Sequence, residues 1–169
     1  MPTRSQTAAA LDVAIVIAAA PGRVLKAFFE PEALHAWLQV THSVTTPRLL
    51  GPYAVEWETT DYRDEVLGRL GGVFRGTVMQ FQAGEGFFVA DAFWLPPDGH
   101  AIGPMALEVT CTPAGDSGGG RLDLDRTFAT RVRVTQNGFD ESVRWRRYYD
   151  LMGCVWERGL ASLKSLLEQ

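Results

Sequence analysis

The sequence predicts an α+β fold, in which a curved antiparallel sheet of about six to seven strands wraps around one long C-terminal helix. Stretches that alternate between apolar and polar residues recur through the middle of the chain, and such alternation is typical of half-buried strands. Two short helical segments directly follow the first strand, and a long amphipathic segment ends the chain. Strands grouped in one run, with helices at its ends, indicate an α+β protein.

Length and composition fit one globular domain. The chain has 169 residues, of which 46% are hydrophobic and 21% charged, so it can bury a substantial core. Its formal net charge of −4 provides no overall attraction for nucleic acid. No apolar run reaches the roughly 20 residues of a membrane span. We therefore expect a single domain over residues 1–169, with residues 1–9 as a flexible tail, no nucleic-acid partner and no membrane span.

The first strand is predicted in a segment that also resembles a secretion signal. Ala8–Ala20 is mostly apolar and ends in three alanines, as a signal peptide does before its cleavage site. However, Asp12 interrupts this run, and the residues from Leu11 to Ala18 alternate with period two. The alternation favours an outer strand of the sheet that the mature chain keeps. We therefore expect a cytoplasmic protein.

Two prolines mark the beginnings of the two short helices. Pro21 is placed where the first helix begins, a position that tolerates proline because its missing N–H would be unpaired anyway. Apolar residues follow it at helical spacing, at Val24, Leu25, Phe28 and Phe29. Glu30-Pro31 ends this helix, and Pro31 begins the second, which carries Trp37 on its apolar side.

The remaining strands are separated by glycine and proline turns. A charged segment, Asp61–Arg69, is predicted to be a connection or an exposed strand end. The strands are predicted over Ser43–Leu49, Tyr53–Thr60, Val73–Phe81 and Phe87–Leu95, from Met105 to Thr112, and within Arg121–Thr135.

The chain ends in a long predicted helix. Asp140 is a suitable N-cap for a helix over Glu141–Glu168, along which apolar residues recur at three- and four-residue steps. This stripe must pack on the apolar face of the sheet. A curved sheet around a helix leaves a space that the short helices close at one end. An apolar cavity with a few polar groups is a binding site by default.

Aromatic residues and methionines on the predicted inner faces are the candidate ligand-binding residues. Tyrosine and tryptophan combine an apolar ring with a polar group that can hydrogen-bond a ligand. Each candidate can equally be plain core, and a bulge would move a whole set to the other face. The candidates are Trp37, Tyr53, Trp57, Phe81, Phe88, Trp94, Met105, Trp145, Tyr149 and Met152.

No motif in the sequence points to a metal or a cofactor, and we expect neither. The three histidines, His35, His42 and His100, are scattered, and neither H-x-x-x-H nor C-x-x-C spacing occurs. No P-loop or G-x-G-x-x-G is found. The two cysteines, Cys111 and Cys154, could form one disulfide, but two buried free thiols fit their predicted strand and helix better.

An acidic cluster offers the clearest candidates for acid–base chemistry. One of its carboxylates could act as a general base at the mouth of a pocket, provided that burial raised its pKa. Strand alternation instead places Glu56 and Glu58 on a solvent-exposed face, and we favour that interpretation. The cluster comprises Glu56, Glu58, Asp61, Asp64 and Glu65, with Arg63 and Arg69 nearby.

Several motifs follow one another in a characteristic order. Val13–Trp37 contains a strand, then A-P-x-x-V-x-x-A-F, then P-E-x-L-x-x-W. Tyr148–Glu168 contains W-x-x-x-L-x-x-L-K, although Cys154 and Val155 separate its tryptophan from Gly153. Together these features resemble the START-like (SRPBCC) helix-grip superfamily, and above all its branch of homologues of the chaperone-ATPase activator (AHSA). The resemblance covers almost the whole chain and implies the helix-grip fold.

The resemblance leaves the activity open. The superfamily includes lipid binders, binders of hydroxylated aromatic compounds, cyclases, dehydratases and chaperone regulators, so the fold does not name the ligand. Relative to a minimal member, Asp61–Arg69 and Ser117–Ala129 look like insertions. We expect a small hydrophobic or aromatic molecule to bind between sheet and helix. The alternatives are a cyclase, dehydratase or hydrolase that uses this pocket, and a protein that modulates a chaperone ATPase. A homodimer through the insertions is left open.

Overall fold

The computed structural model describes residues 9–114, 129–138 and 140–169 and has the α+β architecture that the sequence predicts. Its elements, in chain order, are β1 (Leu11–Ile17), α1 (Pro21–Lys26), α2 (Pro31–Leu38), β2 (His42–Thr45), β3 (Pro52–Trp57), β4 (Arg63–Asp64), β5 (Gly68–Arg69), β6 (Gly72–Gln82), β7 (Gly86–Leu95), β8 (Ile102–Pro113), β9 (Thr130–Asn137) and α3 (Val143–Leu167).

Seven of the described strands form one antiparallel sheet in the order β1-β9-β8-β7-β6-β3-β2. The first strand is therefore an edge strand, as its alternation predicts. It pairs with β9 in a register that sets Val13 opposite Val134 and Ile17 opposite Thr130. The strands β4 and β5 pair only with each other and form a small separate hairpin.

The long helix α3 contacts β1 and α2. Its stripe is buried at Trp156, Leu160 and Leu163, among other residues. Gly159 permits the close approach of α2, because a Cβ there would lie only 3.0 Å from Leu38 Cδ1. The helix begins two residues later than predicted: Ser142, and not Asp140, is the N-cap, and its Oγ accepts a hydrogen bond from the Trp145 N–H at 3.3 Å.

The structure describes the first of the two predicted insertions, Asp61–Arg69, but only the last residue of the second. Asp61–Arg69 is largely the β4–β5 hairpin and not a plain connection. Ser117–Ala129 lies outside the described residues except for Ala129. Cys111 and Cys154 are both free thiols, as expected. Only Cys111 is buried, and burial raises its pKa to about 11, whereas Cys154 is exposed, so the prediction of a second buried thiol was wrong.

A chain that lacks residues 10–20 should fail to fold. The deletion removes β1, whose Ile17 is fully buried, and leaves the edge of β9 unpaired. It also removes two contacts with the end of α3: the Ala18 N–H donates to the Glu168 carboxylate at 2.8 Å, and Lys164 donates to the Val16 carbonyl at 3.1 Å.

Far-ultraviolet circular dichroism and thermal melting of the truncated chain measure this effect. A chain that lacks only residues 1–9, the predicted tail, is the control and should melt like the full chain. A cooperative transition without residues 10–20 would contradict the strand assignment and favour a cleaved signal.

Candidate functional site

The candidate site is a cavity of about 490 Å³ at one end of the sheet. It lies between the last residues of β3 and β7 and the N-terminal half of α3, while the β4–β5 hairpin and the end of α2 complete its walls. The lining residues are His35, Gln39, Thr41, Trp57, Glu58, Thr60, Leu67, Leu70, Gly71, Trp94, Tyr148, Leu151, Met152 and Val155.

Three aromatic side chains form much of the apolar wall. The Trp94 and Tyr148 rings lie with their centroids 5.4 Å apart and their planes 31° apart. The Trp94 indole N–H donates to the Gly71 carbonyl at 2.9 Å, and that of Trp57 donates to the Leu38 carbonyl at 3.0 Å. Because these indole groups are already hydrogen-bonded to the backbone, both tryptophan rings are held in place.

The β4–β5 hairpin is attached to α3 by an ion pair, which we call the Asp64–Arg147 latch. The Asp64 side chain is only 3% exposed and lies 2.7 Å from the Arg147 guanidinium. Its carboxylate also accepts hydrogen bonds from the N–H groups of Val66 and Leu67. The hydrogen bond from Arg147, with these two, holds the pKa of Asp64 below its usual value. The latch sets Leu67 against the cavity.

Polar side chains also line the cavity and form what we call its rim: His35, Gln39, Thr41, Glu58 and Thr60. The two threonine hydroxyls at the cavity donate to backbone carbonyls: Thr41 Oγ1 donates to the Glu56 carbonyl at 2.9 Å and Thr60 Oγ1 to the Tyr62 carbonyl at 3.4 Å. The His35 ring Nδ1 lies 3.0 Å from the Val40 carbonyl. Glu58 is exposed, as alternation predicts, but it lies at the cavity and not on a remote surface.

Of the ten predicted ligand-binding residues, Trp57, Trp94 and Met152 line this cavity. Tyr53 and Trp37 lie instead in the aromatic core beneath α1 and α2. The Tyr53 hydroxyl donates to the Phe28 carbonyl and the Trp37 indole N–H donates to the Ala27 carbonyl, both at 2.9 Å. Both side chains belong to the hydrophobic core and lie outside the lining of the 490 Å³ cavity.

Four other candidates, Phe81, Met105, Trp145 and Tyr149, also lie outside the cavity lining. Phe81 is half-buried and packs edge-on against Phe29, with 5.5 Å between ring centroids. Met105 is buried, and its sulfur lies 3.8 Å from the Gln136 amide nitrogen. Trp145 packs on Tyr149, whose hydroxyl donates to the Gly138 carbonyl; burial raises the pKa of Tyr149 to about 12.

The prediction that Phe88 faces inward was wrong. Phe88 pairs with Gln80 and Glu108 on the face of the sheet opposite to its buried neighbour Phe87. The cause is a bulge near Asp91, a residue with a φ of +52°.

The sequence interpretation missed Tyr148, Leu67 and Leu70. Tyr148 belongs to the predicted apolar stripe of α3, but its neighbour Tyr149 was chosen as the ligand-binding residue. Leu67 stands in a strongly charged segment that indicated a solvent-exposed connection. The signal for Leu67 and Leu70 was their apolar character in the sequence VLGRL, which is followed by the turn-forming pair Gly71-Gly72.

The buried carboxylate does not fit the role of a general base. That role requires a raised pKa, whereas the pKa of Asp64 is lowered by its contact with Arg147. Among the described residues, no group of three or more His, Cys, Asp or Glu side chains is placed to hold a metal ion. No helix in the same part of the chain is long and apolar enough to cross a membrane.

Comparison with known proteins gives a likeness of fold. No family model matches the chain, and no curated protein matches it in sequence. A Chromobacterium violaceum protein is 21% identical with a TM-score of 0.61, and the match covers 94% of this chain and 97% of that one. The AHSA1 protein of Silicibacter pomeroyi is 15% identical with a TM-score of 0.58, over 93% and 97%. The Aha1 dimer of Colwellia psychrerythraea is 15% identical with a TM-score of 0.57, over 94% and 95%. The chain thus has the SRPBCC/AHSA-like fold that its motifs predict.

Proposed function

We propose that the protein binds a small hydrophobic or aromatic molecule in the cavity at the end of the sheet. The observation that carries the proposal is the apolar wall of Trp57, Trp94, Tyr148 and the neighbouring aliphatic side chains around about 490 Å³ of space. This volume lies within the ~300–1,000 Å³ that small-molecule sites typically have. The SRPBCC/AHSA-like fold supports the proposal.

The energetics favour an apolar occupant. Both tryptophan N–H groups donate to backbone carbonyls, so the wall offers a ligand mainly ring faces and aliphatic groups. Water in such a space makes few hydrogen bonds with its surroundings. An apolar molecule that displaces this water removes apolar surface from solvent, which stabilises the complex by about 25 cal/mol per Å² of buried surface. As the sequence predicts, we propose that this binding takes place in the cytoplasm.

Replacing Met152 by tryptophan should abolish or weaken binding, because the larger side chain occupies the cavity that Met152 lines. Nile red is a suitable neutral probe, since its fluorescence rises on transfer to an apolar site. We expect at least about tenfold weaker binding than to the unmodified protein. The matched control is Met79→Trp on β6, since Met79 is 44% exposed and outside the cavity lining.

Native mass spectrometry and thermal-shift screening with aromatic compounds and lipids then extend the test to natural ligand classes. If neither Nile red nor any screened compound binds, the proposed function is wrong. Equal binding by the Met152→Trp and Met79→Trp variants would show that a bound probe occupies some other site.

An enzyme that uses the same cavity is the second candidate. It is favoured by one observation, namely that His35 and Glu58 both line the rim. Conversion of a bound compound, followed by mass spectrometry and lost in the Glu58→Gln variant, would support it.

Modulation of a chaperone ATPase rests on the family resemblance alone, and a pull-down with an ATPase assay tests it. The Colwellia structure is a dimer, and light scattering tests our proposal that this chain can form one.

A further inference from the structure

Only one carboxylate, and no lysine or arginine, is found among the described residues that line the cavity. Among the described lining residues, Glu58 is the only aspartate, glutamate, lysine or arginine. Glu58 forms no ion pair with any other described residue. A ligand in the cavity therefore meets one carboxylate and no ammonium or guanidinium group from the described walls.

Two arginines on the hairpin side, Arg147 and Arg69, have acidic partners of their own, whereas Arg63 on β4 is exposed and lies outside the cavity lining. Arg147 is bound to Asp64, at 2.7 Å. Arg69 lies 3.8 Å from the Asp98 carboxylate. Because Arg147 and Arg69 are each paired with a carboxylate, these two arginines offset little of the negative charge that Glu58 brings to the rim.

The aromatic wall favours the same sign of ligand charge. The faces of Trp57, Trp94 and Tyr148 carry the negative part of the ring quadrupole, which attracts cations. Each of these three residues lines the cavity, and Glu58 follows Trp57 directly in the chain. Ring faces and carboxylate together stabilise a positive group and disfavour a carboxylate or phosphate.

We propose that the ligand is a hydrophobic amine, with an apolar or aromatic body against the Trp94–Tyr148 wall and a protonated nitrogen near Glu58. This inference rests on the proposed function, since it specifies the chemical class that the same cavity takes. It separates such amines from fatty acids and phosphorylated lipids, which carry the wrong charge for this rim.

Three probes with one ring system and different charge test the inference: naphthylethylamine, naphthylethanol and naphthylacetic acid. Isothermal titration calorimetry at pH 7 gives their affinities. We expect the amine to bind about tenfold more tightly than the alcohol and the acid to bind most weakly. Added salt should reduce the advantage of the amine, because the Glu58 side chain is exposed to solvent.

The Glu58→Gln variant should lose most of the preference for the amine, with the aromatic faces keeping a small remainder, while its affinity for the alcohol is unchanged. Glu56→Gln is the matched control: Glu56 is exposed, lies outside the cavity lining and has His42 as its partner at 3.8 Å. It should keep the full preference for the amine.

The outcomes separate this inference from the proposed function. If the three probes bind equally, if the acid binds most tightly, or if Glu58→Gln keeps the full preference for the amine, the inference is wrong and the cavity still binds apolar molecules. If Nile red binds but none of the naphthyl probes does, the inference is again wrong. If Nile red also fails to bind, the proposed function and the inference fail together.

Discussion

Replacing Phe87 by alanine should destabilise the protein by about 3–5 kcal/mol, whereas Phe88→Ala should cost less than about 1 kcal/mol. Phe87 is only 3% exposed, and its ring packs on three others: the centroid distances are 4.7 Å to Phe29, 5.4 Å to Tyr53 and 5.7 Å to Phe28. Phe88 is half-buried on the opposite face of the sheet. Truncation at Phe87 therefore leaves a cavity in the aromatic core, and truncation at Phe88 does not.

Urea unfolding followed by circular dichroism measures both changes in the free energy of unfolding. The total stability of a domain is about 5–15 kcal/mol, so Phe87→Ala itself could be unfolded. Phe87→Leu keeps most of the side-chain volume and should cost about 1–2 kcal/mol, which keeps the comparison measurable. If Phe87→Ala and Phe88→Ala lowered the free energy of unfolding equally, or if Phe88→Ala lowered it more, the assignment of Phe87 to the core-facing side of β7 would be wrong.

The same strand shows why side-chain direction was harder to predict than the strand itself. The run from Phe87 to Leu95 predicts a strand, and β7 spans Gly86–Leu95. Strict alternation puts residues 88 and 94 on one face, and both were therefore predicted to face inward. The bulge near Asp91 adds one residue, so that Trp94 shares its face with Phe87 and Val89 instead. The only sequence signal of this bulge was Asp91 itself, an acidic residue within an otherwise apolar run.

Elements defined by local chemistry were predicted well. Pro21 and Pro31 each occupy the first residue of a helix, because a proline there lacks only an N–H that would have no helical partner. The predicted alternation of β1 is present in the structure: its odd-numbered residues from Leu11 to Ile17 are buried or half-buried, and the residues between them are exposed. Both signals act within a few residues of the chain, so tertiary contacts do not need to be known.

The position of the cavity depended on contacts that are distant in sequence. Arg147 and Asp64 are 83 residues apart, and their pairing joins the hairpin to α3. Tyr148 and Tyr149 are both buried on α3, and the charge of the hairpin gave no indication of which would face the open space. Tyr149 was chosen, whereas the structure places Tyr148 at the cavity, next to Trp94.

Replacing Arg147 by alanine should release the β4–β5 hairpin and widen the cavity. The substitution leaves the Asp64 carboxylate, whose side chain is 3% exposed, without its ionic partner. A buried unpaired charge of this kind costs about 2–3 kcal/mol or more. The hairpin pairs with no other strand of the described sheet, so it can open locally and expose Asp64. We therefore expect local opening instead of global unfolding, with faster amide hydrogen exchange at Val66 and Leu67 and weaker binding of Nile red.

The latch should also depend on pH in a defined direction. The pKa of Asp64 is lower in the folded protein than its usual value of 3.8, so the ionised form is the one that folding favours. This stabilisation is fully present above the usual pKa and is lost as the pH falls through the lower folded pKa. The difference in hairpin protection between the unmodified protein and Arg147→Ala should consequently be constant near neutral pH and shrink in strongly acidic solution.

The adjacent Arg146→Ala variant separates the latch from a general effect of lost charge. Arg146 is exposed and donates only a long bond of 3.4 Å to the Glu141 carbonyl, so its removal should change neither exchange nor binding. Asp64→Asn with Arg147→Ala should cost less than the sum of the single changes, because the two residues act on the same contact. If Arg147→Ala and Arg146→Ala behaved alike, or if the double variant were additive, Asp64 and Arg147 would not hold the hairpin, and the wall around Leu67 would need another cause.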